Sequence, residues 1–281
     1  MIKLFKFSKM DINKIANLAS STLWFSALED FNDPFEGGVQ ATVENASADN
    51  LNKALEKIIS NLEYKGDIEI QSLEYAETYS EDEADKIIKF LLDTFENELI
   101  EIKKLAACSF MEASEYVLFD QHMWSHYADG LRGYCICFDK KKLTNSLAVN
   151  NDKYLAAVNV KYANSYPSVN IIDYFCSFDN PYENPLLTQS IMPKLKAYFI
   201  VSTKSKSWEN EKELRLLSGE KGGLFYSSDS IQEVVIGEKM PPDQQKLMIN
   251  LIRSVAPNAV IRKAVMEEHS YGLKIIDYID E

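Results

Sequence analysis

The sequence predicts an α+β fold, a single domain with a mixed or mainly antiparallel sheet and a helical insertion. Short segments rich in β-branched and aromatic residues outnumber the connections long enough for parallel crossovers, which favours antiparallel pairing. Apolar residues at helical spacing interrupt these segments between residues 48 and 104. No repeat or Gly/Ser-rich linker divides the 281 residues. We therefore expect one domain over 1–281, with 48–104 as an acidic helical insertion within it.

The chain opens with a strand, a helix and a second strand. LFKF (4–7) and TLWFS (22–26) are short and aromatic-rich, and Asp11 is a suitable N-cap for a helix that ends near Ala19. The same criteria predict helices over 48–62, 81–104, 120–128, 185–201 and 242–255, and strands over 106–110, 133–139, 156–162, 213–218, 224–228, 233–237, 259–266 and 272–279.

Charge and missing motifs exclude several classes of protein. The net charge is −13, and twelve acidic residues against three lysines lie between Lys65 and Glu101, so non-specific nucleic-acid binding is disfavoured. No apolar window is long enough to span a membrane, and no secretory signal follows Met1. We expect a cytoplasmic protein. The absence of Walker A, GxGxxG, GxSxG and CxxC patterns argues against P-loop, Rossmann, α/β-hydrolase and zinc-ribbon proteins. The sequence does not predict the oligomeric state.

The first segment that could carry chemistry is FNDPFEGG (31–38), directly after a predicted strand. Asp33 precedes a proline and is pushed into an extended conformation, and Asn32 readily forms an Asx turn. With Glu36, these residues are candidates for binding a ligand at the mouth of a cleft. The alternative is a self-capped turn held by Phe31 and Phe35.

The second segment, DQHMWSHYADGLRGYCICFD (120–139), joins a predicted helix to a strand. His122 and His126 are four residues apart and share a helical face, as two metal ligands would. The pattern lacks the glutamate of zinc proteases, so we predict no metal centre. We expect Trp124, His126 and Tyr127 to pack the helix on the sheet, with the His126 ring presented to a pocket. These three residues are ligand-binding candidates.

The third segment, WENEKELRLLS (208–218), is the most informative. As a strand, it places Glu211, Glu213 and Arg215 on one face and its leucines on the other. The charged face is either an ion-paired ladder or a catalytic carboxylate oriented by its neighbours. Trp208 is a further ligand-binding candidate. The basic stretch 194–206 before it either accepts a phosphate-bearing ligand or extends its lysines to solvent.

Together these segments resemble a bacterial family known chiefly as a domain of unknown function. The pattern is LFKF, LWFS, FNDPFE, CSF, WSHYADGLRGYCICFD, WENEKELR and EVVIG, in this order between Leu4 and Gly237. The order of motifs is distantly similar to that of ADP-ribosyltransferase-like proteins. This resemblance implies that Lys6, Ser26 and Glu213 or Glu211 occupy the positions of the functional residues. The glutamate would hold a ribose hydroxyl and stabilise an oxocarbenium-like transition state as nicotinamide leaves.

Our leading hypothesis is a nucleotide-directed enzyme, NAD-cleaving or ADP-ribosyltransferase-like, that acts as a toxin or phage-defence effector. Glu213 would be its catalytic carboxylate, assisted by Glu211 and Arg215. NAD is the candidate substrate, and the sequence firmly implies no cofactor. The alternatives are a non-catalytic module that senses a small ligand or partner, and a metal-dependent hydrolase. We expect Asp33, His126, Glu213 and Arg215 to surround one shared hollow.

Overall fold

The computed structural model of the chain describes residues 2–63, 75–112, 115–151, 155–177 and 198–279. Within these ranges the α-helices are α1 (Ile12–Ala19), α2 (Ala48–Glu63), α3 (Glu81–Lys103), α4 (Gln121–Tyr127), α5 (Lys140–Asn151), α6 (Ile171–Cys176), α7 (Tyr198–Val201) and α8 (Pro242–Val255). The strands are β1 (Lys3–Ser8), β2 (Thr22–Ala27), β3 (Gln40–Thr42), β4 (Ala106–Glu112), β5 (Tyr134–Asp139), β6 (Ala156–Asn159), β7 (Lys161–Ala163), β8 (Ser168–Asn170), β9 (Thr203–Ser205), β10 (Glu213–Ser218), β11 (Gly222–Phe225), β12 (Ile231–Gly237), β13 (Val260–Met266) and β14 (Leu273–Asp277).

The chain divides into two compact units. Unit 1 consists of Met1–Ala27, Ala106–Val160 and Ser207–Glu281, and unit 2 consists of Leu28–Leu105 and Lys161–Lys206. The predicted insertion at 48–104 falls within unit 2, which begins before it. The assignment of 1–281 to one domain stays a prediction.

Unit 1 is organised around a ten-stranded sheet. Its order is β11-β2-β4-β1-β5-β12-β13-β14, and β10 pairs with both β4 and β6. β12 and β13 are parallel, while the other pairs of this sheet are antiparallel. Helices combined with a mixed, mainly antiparallel sheet confirm the predicted α+β class.

Both faces of this sheet are buried, because side chains alternate along each strand. The first, which we call the α8 face, carries among others Leu4, Phe110, Ile136 and Leu214, packed with Met248 and Ile252 of α8. The second, the α4 face, carries among others Phe5, Met111, Cys137 and Val235, packed with Trp124 of α4. Full burial of each large apolar side chain stabilises the fold by about 1.5–3 kcal/mol. Ile136 and Cys137, which are consecutive residues of β5, accordingly lie on opposite faces.

Unit 2 combines helices α2, α3 and α6 with two small parallel strand pairs, β3 with β8 and β7 with β9. Apolar residues recur every four positions along α3, where Ile87, Leu91 and Phe95 are buried and Leu99 is half-buried. The Phe95 ring packs edge-on against Tyr174 of α6, with the ring centroids 5.1 Å apart. The amphipathic pattern of this acidic helix therefore serves the core of unit 2.

Three predicted elements need correction or lie partly outside the structure. The predicted strand at 156–162 is two strands, since the chain leaves β6 at Val160 and enters β7, which pairs with β9. The strand predicted at 224–228 lies earlier, as β11. The helix predicted at 185–201 is described only from Tyr198 onward, and the rest lies outside the described residues.

None of the described helices is both long enough and apolar enough to cross a membrane.

Candidate functional site

A buried ion pair lies at the start of β10. The Arg215 guanidinium donates from Nε to Glu213 Oε1 at 2.8 Å and from Nη2 to Glu213 Oε2 at 3.2 Å. Arg215 is fully buried, and Glu213 is 6% exposed. Because both oxygens are held by one planar group, the carboxylate of Glu213 has a fixed orientation.

Glu211 does not belong to the strand, which corrects the predicted face of three charged residues. It ends the 3-10 helix Lys206–Glu211, and Lys212 then adopts a left-handed backbone with φ of 43° before β10 begins. Such a backbone is strained for a residue with a side chain. The Glu211 carboxylate is buried, and it accepts a hydrogen bond from the Tyr127 hydroxyl at the end of α4.

Strand register places these groups on one face of the sheet. Glu213 is opposite Met111 and Arg215 is opposite Ser109, so both belong to the α4 face. Tyr127 packs against the apolar cluster of that same face. The α4 face of unit 1 thus carries a polar cluster that we call the β10 cluster, formed by Tyr127, Glu211, Glu213 and Arg215.

Ser26 and Lys6, the other two residues implied by the resemblance, lie on opposite faces. Ser26 pairs with Ala107 of β4, so it shares the α4 face with Arg215. Lys6 pairs with Ile136 and lies over the Phe110 ring, on the α8 face. Its ammonium donates to the Ser109 carbonyl oxygen at 2.9 Å. The sheet therefore separates Lys6 from Glu213, and these two side chains do not form one surface.

The surroundings of Lys6 agree with this assignment. Lys14 of α1 is near Lys6, and burial, followed by repulsion from the Lys6 ammonium, lowers the pKa of the Lys14 side chain. α1 contributes Leu18 to the core of the α8 face. Lys6 therefore faces α1, away from the β10 cluster.

Two of the three α4 residues expected to pack on the sheet, Trp124 and Tyr127, do so, whereas His126 does not. Trp124 is 1% exposed, its indole N–H donates to the Leu118 carbonyl at 2.7 Å, and its ring packs edge-on against Phe7. Trp124 therefore packs α4 on the sheet, as predicted, and a ligand-binding role for it stays a prediction. The expectation that His126 packs on the sheet is wrong, because His126 is exposed and its ring stacks on His122. Tyr127 alone of the three predicted residues reaches the β10 cluster.

The loop 31–38 belongs to unit 2 and is built around Asp33. Asp33 Oδ1 accepts from the Phe35 N–H at 3.0 Å, and its carbonyl accepts from the Glu36 N–H at 3.2 Å. Asp33 therefore forms the turn that was expected of Asn32, which is exposed. Phe35 is 60% exposed and does not hold the turn in place.

The remaining predicted candidates divide between the two units. Glu36 lies 3.8 Å from the Lys204 ammonium, and both side chains are almost completely buried within the fold. Of the four lysines of this basic stretch, Lys204 is directed to a carboxylate, Lys206 is exposed to solvent, and Lys194 and Lys196 lie outside the described residues. Trp208 is half-buried in the 3-10 helix that leads to Glu211. The shared hollow around Asp33, His126, Glu213 and Arg215 stays a prediction.

Comparison with known proteins gives one match. The family model described as "Protein of unknown function (DUF2971)" matches residues 123–216, a segment that includes the whole β10 cluster. No curated protein and no solved structure matches the chain. The segment is thus similar to a domain of unknown function, while the wider pattern from Leu4 to Gly237 stays a prediction.

The described residues contain no group of three or more His, Cys, Asp or Glu side chains placed to hold a metal ion. The stacked pair of His122 and His126 consequently has no third ligand of these types in the described part of the chain. The metal-dependent hydrolase is the alternative that the geometry supports least.

Proposed function

We propose that the chain is an enzyme that acts on a nucleotide at the β10 cluster, with NAD as the first substrate to test. The observation that carries this proposal is the convergence of two separate polar motifs, WSHYADG and WENEKELR, through the hydrogen bond from Tyr127 to Glu211. Both motifs lie within the segment similar to the family of unknown function.

The roles follow from the contacts. Arg215 keeps the Glu213 carboxylate oriented, since its buried guanidinium holds both carboxylate oxygens and compensates their negative charge. A carboxylate has about four lone-pair sites, and we propose that Glu213 accepts a hydrogen bond from a ribose hydroxyl at one of them. As the bond from the anomeric carbon to nicotinamide breaks, the carboxylate stabilises the positive charge that develops on the ribose. Nicotinamide leaves with the electron pair of that bond. Water or an acceptor hydroxyl then attacks the anomeric carbon, takes the ADP-ribosyl group and loses its proton to solvent.

Glu211 and Ser26 complete the proposed site on the α4 face. Tyr127 positions the Glu211 carboxylate, which lies two residues from Glu213 across the left-handed turn at Lys212. Ser26 offers a hydroxyl on the same face. Lys6 has no part in this proposal, because it lies on the opposite face of the sheet.

The test is release of nicotinamide from NAD by the full chain and by matched glutamine variants. We expect Glu213→Gln to lower turnover by about 100- to 1000-fold, the usual effect of removing one preorganised charge-stabilising group. Glu209→Gln is the control, because Glu209 is exposed in the same 3-10 helix. Turnover of Glu213→Gln at the wild-type rate would refute the role of this carboxylate.

Calorimetric titration with NAD separates the enzyme from the non-catalytic sensor. Binding of NAD without release of nicotinamide would favour the sensor. Release of nicotinamide by the wild-type chain would eliminate the sensor. If the enzyme acts as a toxin or phage-defence effector, expression of the wild-type chain should lower cellular NAD, and expression of Glu213→Gln should not.

A further inference from the structure

A second feature, confined to unit 2, is independent of the proposed enzyme site. Asp33 is 3% exposed and Ser202 is 1% exposed. Within the described residues, Asp33 Oδ2 and Ser202 Oγ are buried and have no hydrogen-bonding partner. A buried polar atom without a partner is costly, so each such atom in a folded protein calls for an explanation.

The two atoms come from segments that are joined by an ion pair. Asp33 precedes Glu36 in one hydrogen-bonded turn, and Glu36 lies 3.8 Å from the Lys204 ammonium. Ser202 precedes Lys204 by two residues, and both are buried while Thr203 between them is half-buried. Ser202 lies in the turn between α7 and β9, directly before the strand that carries Lys204.

Other atoms of Asp33 and Ser202 make the hydrogen bonds that the local backbone requires. Asp33 Oδ1 closes the turn by accepting from Phe35, and the Ser202 carbonyl accepts from the Lys161 N–H at 2.7 Å. The turn and the strand pairing therefore use neither Asp33 Oδ2 nor Ser202 Oγ. A purely structural aspartate would not require a second, buried oxygen to stay unpaired.

We propose that unit 2 binds a small organic cation, an alkylammonium or guanidinium group that donates to Asp33 Oδ2 and is contacted by the Ser202 hydroxyl. A buried carboxylate is normally compensated by a cation, and Lys204, a buried lysine in the described part of this unit, is paired with Glu36. A nitrogen cation with N–H donors supplies both the charge and the hydrogen bonds.

The test titrates the full chain with ethylammonium and methylguanidinium chloride, and with potassium chloride at the same concentration. The readouts are chemical-shift changes and the thermal midpoint. We expect saturable binding and a raised midpoint with at least one organic cation, and neither with potassium. Asp33→Asn, which keeps the Oδ1 acceptor of the turn, should weaken this binding at least tenfold, and Ser202→Ala should weaken it less.

Stability without ligand gives a second readout. If Asp33 Oδ2 is reserved for a ligand, Asp33→Asn leaves the thermal midpoint of the free chain unchanged or raises it. Asp93→Asn, at an exposed position of α3, is the control and should leave binding unchanged. The proposal is overturned if neither organic cation binds saturably, if potassium binds equally well, or if Asp33→Asn lowers the midpoint and binds like the wild type.

Discussion

Arg215 shows how one residue can determine both stability and chemistry. It is fully buried, and its guanidinium contacts both carboxylate oxygens of Glu213. A buried ion pair contributes little net stability compared with an apolar pair, but removing one partner leaves a buried charge uncompensated. Retention of this pair in the middle of a sheet is consistent with a role for the oriented carboxylate, as proposed above.

We expect Arg215→Met to lower the free energy of unfolding by about 3–5 kcal/mol, because the Glu213 carboxylate stays buried without its partner. Urea unfolding measures this loss. The double variant Glu213→Gln/Arg215→Met should recover part of it, since no isolated charge remains. Lys86→Met, which breaks the exposed pair with Asp82, should leave the urea midpoint unchanged. An Arg215→Met variant as stable as the wild type would show that the pair is not effectively buried.

The connection from α4 to β5 fixes the position of Tyr127. Gly130 has a φ of 59°, and its N–H donates to the Trp124 carbonyl, which ends the helix. At Gly133 a Cβ atom would lie 2.2 Å from the Ser8 carbonyl oxygen and 2.9 Å from Ala128 Cα. Glycine is needed at Gly133 because backbone approaches backbone.

Gly133→Ala should therefore destabilise unit 1 by about 1–3 kcal/mol, the usual cost of overpacking. It should also lower any turnover that depends on Tyr127, because the end of α4 must move. Gly272→Ala is the control, since the added Cβ would meet the flexible, exposed side chain of Glu267. Equal urea midpoints for the two variants would contradict the close approach.

Sequence patterns predict the helices and strands that carry a clear apolar face or a clear end signal. They miss elements in which these signals are weak. The helix α8 carries Pro242 at its first turn and was predicted with its observed bounds. Helix α5 was missed, because it begins with three lysines and buries only Leu143 and Leu147. A helix with so narrow an apolar stripe has little periodic signal.

The sequence predicts which residues are candidates for the site, but it predicts only part of their arrangement in the fold. Glu213 and Arg215 are two residues apart on one strand, so their shared face followed from local spacing. The turn at Lys212, which removes Glu211 from that strand, has no local signal. The separation of Lys6 from Ser26 depends on the register of β1, β2 and β4, which is set by pairing between distant segments.

At the scale of the whole molecule, buried ionisable groups make unit 1 less stable at alkaline pH. Burial raises the pKa of Tyr134 to about 12, an effect partly opposed by a hydrogen bond with Ser8. Burial also raises the pKa values of the Tyr226 hydroxyl and the Cys135 thiol. Each group favours folding in its neutral form, so this stability is present below the unfolded pKa and is lost above it.

We expect the urea midpoint of the chain to begin to fall as the pH rises above about 8.5, the pKa of cysteine in unfolded chains, and to fall further above about 10, the pKa of tyrosine there. The contribution of Tyr134 should disappear as the pH passes through about 12. Tyr134→Phe should make this fall shallower, without abolishing it, because Tyr226 and Cys135 act in the same direction. Tyr271→Phe, at a side chain that is 98% exposed, should unfold with the wild-type pH dependence. Identical profiles for Tyr134→Phe and wild type would contradict the assignment.

The position of β1 in the sheet order has a consequence for biosynthesis. β1 lies between β4 and β5, which both come later in the sequence, so during synthesis this strand must wait for both of its neighbours. Until they emerge, the LFKF segment has unpaired backbone groups and exposed aromatic rings, features that promote association between nascent chains. Because of this strand order, we expect the chain to depend on a chaperone during translation.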